Sequence, residues 1–142
     1  MRLKLGWLLL LGCATNVGAA GHLVVEHAWI RAAPPGAPML AGYATLKNDG
    51  DAPVVVTGAS SADFGDMSLH ESVYENGVER MRPLGNVSIA PGASAVFAPG
   101  GKHFMLMDAK RELKTGDSVK VHISTKSGTG TDADFVVRET AP

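Results

Sequence analysis

Apolar and polar residues alternate along most of the chain in short runs, and turn-forming residues separate the runs. Alternation with period two marks a strand that buries one face. It predicts ten strands, over 23–30, 40–47, 53–58, 67–74, 78–82, 87–89, 93–97, 103–107, 119–124 and 134–138. Pro34-Pro35-Gly36, Asn48-Asp49-Gly50-Asp51, Glu75-Asn76-Gly77, Pro91-Gly92, Pro99-Gly100-Gly101, Thr115-Gly116-Asp117 and Ser127-Gly128 stand between them. Asn76-Gly77 between two alternating runs is a hairpin signal, because both residues tolerate positive φ. No stretch sustains a helical period, and only a single turn near 109–113 is expected. Many short strands at this spacing predict an all-β fold, an antiparallel Greek-key sandwich or barrel.

The first twenty residues break the pattern. Arg2 and Lys4 form a basic start, an apolar run follows over 5–11, and small residues close the segment as Val17-Gly18-Ala19-Ala20. This order predicts a secretory signal peptide over 1–20 and one domain over 21–142. The apolar run is too short to cross a bilayer, so no membrane span is expected after cleavage. Cleavage removes two basic residues and leaves the remainder more acidic. Export to the periplasm is the expected localisation. Cys13, the only cysteine, follows Leu10-Leu11-Gly12, and lipid anchoring there is a minor alternative.

Length, at 142 residues, suits one domain with a core large enough to need no disulfide. Formal net charge is −1 with scattered Lys and Arg, which leaves no footprint for nucleic acid. Once the signal segment is removed no thiolate remains, which excludes thiol–disulfide chemistry and thiolate metal binding. No Ser-His-Asp pattern, paired-carboxylate motif or phosphate loop is evident, so an enzyme is not expected.

Four residues carry the remaining chemistry. His70 and Met81 lie on the two arms of the predicted hairpin, and His103 and Met105 lie two apart on one predicted strand. Strand side chains alternate, so His103 and Met105 share a face, with Phe104 and Leu106 on the other. Two imidazoles and two thioethers form a soft, neutral donor set that favours Cu(I) over hard cations. Zinc prefers Cys, His and carboxylate. Neutral donors leave the ion's charge uncompensated, so the site is expected near the surface.

The runs "LHESVYENGVERMRPL" and "GGKHFMLM" resemble the PCu(A)C family of periplasmic copper chaperones. The family's spacing is His, ten residues, Met, twenty-one residues, His, one residue, Met. His70, Met81, His103 and Met105 match it at every gap. "AWIRAAPPGAPMLAGYATLKNDGD" resembles the family's N-terminal strands, so the likeness covers nearly all of 21–142. The resemblance implies a cupredoxin-like β-sandwich binding one Cu(I) per chain. It also implies a carrier that supplies the copper centres of cytochrome oxidase, with an oxidase subunit or a Sco-type assembly protein as partner. A monomer is expected. The chain departs from the family where Glu71 follows His70 and where Tyr74 stands at a common Met position. The Met- and His-rich tail of some members is not matched by the final residues 138–142, so no accessory Cu(II) site is implied there.

Other residues receive plainer readings. Met67, Trp29 and Phe97 read as core, and Met107, on the face of His103 and Met105, as core or rim packing with a reserve ligand as the lesser alternative. The resemblance allows Met39, after Pro38 in a loop, to sit near the site as a lesser possibility, but it is left outside the ligand set. His27 and His122 read as structural or surface histidines, and Glu71 and Arg82, which flank ligands, as surface charge by default with local charge tuning as the alternative. His22 near a new amino terminus offers nitrogen donors for a weak Cu(II) site, although a histidine with no role is the simpler reading. Periplasmic copper storage or tolerance is the alternative function, and one small site favours delivery.

Overall fold

The computed structural model describes residues 20–142. The signal segment and Cys13 lie outside the described residues. The described chain forms ten strands: β1 Leu23–Arg31, β2 Met39–Asn48, β3 Val54–Ser60, β4 Phe64–Glu75, β5 Val78–Pro83, β6 Val87–Ile89, β7 Ser94–Phe97, β8 Lys102–Ala109, β9 Ser118–Thr125 and β10 Thr131–Arg138. Each coincides with a strand expected from alternation, to within a few residues at its ends. The helical turn expected near 109–113 is absent, and the chain there bends irregularly. Met39, expected in a loop, is the first residue of β2.

Hydrogen bonding links the strands in the order β5-β4-β8-β7-β2-β1-β10-β9-β3-β6, with a further β8–β2 pairing. The sheet rolls over so that β3 approaches β4 and β6 approaches β7, strands that are distant in this order. The result is the expected cupredoxin-like β-sandwich. Most pairings are antiparallel, while β1–β10 and β7–β8 are parallel.

Ile30, Leu46, Phe104, Leu106, Val121, Ile123 and Phe135 are wholly buried inside the roll. Phe104 stands at its centre, stacked on Phe97 at 4.6 Å and edge-on to Phe135 at 5.6 Å. Gly42 admits this packing, since a Cβ there would lie 3.1 Å from Leu106 and 3.4 Å from Phe104. Met67 and Phe97 join the core as expected.

Trp29 is buried but does not join that core. Leu23 and Val25 face inward, and continued alternation would turn His27 and Trp29 inward too. His27 instead takes φ +53°, and the β1–β2 register shifts between Glu26 and Trp29. A bulge of one residue exchanges the two faces of everything beyond it. Ala28 and Ile30 therefore pack inward, and Trp29 and Arg31 move to the opposite face. There Trp29 packs on Tyr43 at 4.8 Å, and the Arg31 guanidinium carbon lies 5.9 Å and 5.8 Å from the two ring centres.

Candidate metal centre

Because Phe104 and Leu106 point into the core, His103, Met105 and Met107 of β8 point outward. Register then decides what else shares that face. On one side of β8, β4 sets His70 opposite His103 and Ser68 opposite Met105. On the other side, β2 sets Ala41 opposite Met105 and Met39 opposite Met107. The hairpin adds β5, with Met81 opposite Ser72 and Pro83 opposite His70. Met81 is thus the diagonal neighbour of His70 rather than its direct partner, within reach of a long side chain.

The hairpin forms as its sequence requires. Asn76 and Gly77 both have positive φ, at 52° and 78°, the conformation of a tight turn that matches strand twist. Glu71 and Arg82 face one another across the arms, and the guanidinium donates to Glu71 Oε1 at 2.9 and 2.7 Å. The two residues, expected by default as surface charge, therefore clasp the arms that carry His70 and Met81. Arg82 is exposed and Glu71 half-buried, so solvent still screens the pair and the clasp aligns more than it stabilises, at ~0.2–1 kcal/mol.

A cavity of about 230 Å³ opens on this face. Met81, His103 and Met105 line it, together with Met39, Ala41 and Arg31. His70 is beside the cavity rather than in its lining, with its ring 6.0 Å from that of His103 and inclined by 21°. The fold thus brings all four residues of the spaced motif to one face and gathers three of them around one cavity.

His103 is the most telling of these residues. It is 5% exposed, Nδ1 lies 3.1 Å from the Gly101 carbonyl, and Nε2 is buried without a hydrogen-bond partner. A buried polar atom left unpaired costs ~1–3 kcal/mol. The Gly101 contact assigns the proton to Nδ1, leaving Nε2 with a free lone pair, the form in which histidine binds metals. His70 has its Nδ1 3.3 Å from Ser68 Oγ. Burial pushes its imidazole below the ordinary value, His103 pushes the same way, and Asp66 opposes. Both effects favour the neutral ring that a metal requires.

The donor set is soft. Among the described residues no group of three His, Cys, Asp or Glu is placed to hold an ion, so hard-cation and zinc-type sites find no support there. Imidazole nitrogen and thioether sulfur suit Cu(I).

The remaining histidines lie elsewhere. His27 is exposed on the β1 bulge, and His122 pairs with Asp132 at 2.6 Å. The His22 amide donates to Asn48 Oδ1 at 3.2 Å, and its ring Nδ1 pairs with Asp49. Met107 is half-buried and outside the cavity lining. Sequence reasoning missed Arg31 as a cavity residue and gave Met39 only a lesser place near the site. The β1 bulge and the β2–β8 pairing place them there, and neither leaves a local sequence signal.

Residues 23–137 match the family described as "Putative lipoprotein LpqE-like". A relative in Leifsonia xyli subsp. xyli, "Putative lipoprotein Lxx21020", is 32% identical over 139 residues, covering 92% of this chain and 82% of its own length. The apo PCuAC domain from PmoF1 superposes with a TM-score of 0.67 at 26% identity, covering 87% of this chain and 100% of that domain. The solution structure of CuI-DR1885 from Deinococcus radiodurans gives 0.63 at 26% identity, covering 89% and 84%. Family match, relative and structures agree with the sandwich described above: the chain belongs to the LpqE-like family and has the fold of the PCu(A)C copper chaperone domains.

Proposed function

We propose that this protein binds one Cu(I) through His70, Met81, His103 and Met105 and carries it, as an exported monomer, toward the copper centres of cytochrome oxidase. The observation that carries the reading is His103 Nε2, buried and unpaired on a residue that shares a cavity with Met81 and Met105. A copper ion would supply the missing partner. Likeness to CuI-DR1885 supports the choice of ion. An oxidase subunit or a Sco-type protein is the proposed recipient.

Neutral donors next to Arg31 hold the ion by soft covalency, with no carboxylate in the cavity lining to compensate its charge. That arrangement limits affinity and suits release, which favours carriage over storage. Arg31 also disfavours a divalent ion more than a monovalent one, because the repulsion scales with charge. The segment 1–20 is proposed as the export signal. The lipoprotein wording of the relatives lends support to anchoring through Cys13 as the alternative to release.

Anaerobic Cu(I) titration against a chromogenic chelator tests binding. One equivalent bound by the wild-type chain and lost in Met105→Leu is expected, and equal binding by both would overturn the ligand set. Mixing the loaded protein with apo oxidase copper-centre domain or apo Sco-type protein tests delivery. Retention of the ion against both acceptors would favour storage.

A further inference from the structure

Met39 lies on β2, outside the spaced motif and outside the four-residue ligand set. It pairs with Met107 and sits two residues before Ala41, which pairs with Met105. It therefore points to the outer face and lines the same cavity as Met81, His103 and Met105. Met39 is 48% exposed and Met81 57%, while His103 is 5%. The cavity is thus graded, with an imidazole at its buried end and two exposed thioethers from different strands, β2 and β5, on its outer side. A half-exposed methionine on a strand gains little from burial, and its flexible thioether is a soft donor.

We propose that Met39 is a third thioether ligand for Cu(I), pairing with Met81 on the exposed side of the cavity. The proposal rests on the copper reading above and extends its ligand set. In this arrangement an arriving ion meets Met39 and Met81 before it reaches Met105 and His103. Departure reverses the order, so a recipient's ligands replace the exposed thioethers first. The ion then never passes through a two-coordinate, poorly held state, since a neighbouring thioether replaces each donor as it leaves. Arg31 on the same lining keeps hard divalent ions from using this route.

Methionine-methyl NMR on the full-length protein tests this, with ¹³C-methyl methionine and anaerobic Cu(I) addition. The methyls of Met39, Met81 and Met105 are expected to shift together and to saturate at one equivalent, with Met67 in the core as the unmoved control. Met39→Leu keeps the apolar volume and is expected to lower Cu(I) affinity by ~10-fold. It should also remove one sulfur neighbour from the X-ray absorption spectrum of the bound ion. Shifts at Met81 and Met105 with Met39 unmoved would overturn the proposal and leave the copper reading intact. So would a Met39→Leu variant with unchanged affinity and unchanged sulfur count. No shift at Met81 or Met105 would overturn the copper reading itself, and Met39 with it.

Discussion

His103 shows how a single side chain exposes a function. A buried imidazole normally spends both nitrogens on hydrogen bonds, yet this one spends only Nδ1. Its truncation in His103→Ala is expected to lower Cu(I) affinity by at least the ~10–100-fold that loss of a residue supporting a metal ligand costs. Chelator competition measures this, with circular dichroism to confirm the fold. His70 contributes through its protonation. Its imidazole is pushed down by burial and by His103, with Asp66 opposing, so the folded state prefers the neutral ring. A depressed folded value adds stability above the ordinary histidine value, and that stability is lost as pH falls through the folded value. The metal-free protein should therefore lose denaturation free energy on acidification from above about pH 6.5. His70→Gln should flatten that part of the profile, and urea unfolding across the range checks it. The motif residues were legible in the sequence because their spacing is local to a hairpin and a strand. Arg31 was not, and Met39 only as a lesser possibility, because their relation to the site exists only through pairing between distant segments.

At the scale of elements, the Asn76-Gly77 turn and the clasp of Glu71 and Arg82 hold the arm that carries Met81. Gly77→Ala places a Cβ in the left-handed region and should cost ~1–2 kcal/mol, with a parallel loss of Cu(I) affinity as the arm loosens. Arg82→Ala, an exposed partner, should change stability by less than ~1 kcal/mol. Chemical denaturation of both variants separates the two effects. Asn48 behaves differently from its sequence appearance as the start of a turn. It is wholly buried, its amide donates to Ala52 and Ile89 carbonyls, and its oxygen accepts from the His22 and Gly50 amides. It ties the end of β2 to β6 and to the segment before β1. Asn48→Ala leaves several of these groups unpaired at ~1–3 kcal/mol each, so a loss of at least ~3 kcal/mol is expected in the same assay. Strand existence was readable from alternation, whereas the hub role of Asn48 depends on which loops meet it.

For the whole molecule, the apolar roll and the site face are two sides of one sheet. Phe104→Ala empties the centre of the roll and should cost ~3–5 kcal/mol. His103 and Met105 flank it on the same strand, so the variant should lose copper binding as the fold itself fails. Copper runs the coupling in reverse. An ion that binds only the folded chain stabilises it by mass action, by ~4 kcal/mol at a thousandfold excess over Kd. Scanning calorimetry should show Tm rising with Cu(I) in the wild-type chain and rising markedly less in His103→Ala. An equal rise in both would place the ion elsewhere.

The sequence by itself determined the ten strands, the all-β class, the hairpin turn and the soft character of the donor set. These depend on period, turn chemistry and side-chain type, all of which are local. Tertiary structure decided which residues surround the cavity. A one-residue bulge at His27 turned Trp29 and Arg31 away from the core, and the non-local pairing of β2 with β8 brought Met39 beside Met81, His103 and Met105. Face and register in a sheet are set by contacts between segments far apart in the chain, and a single inserted residue reverses them.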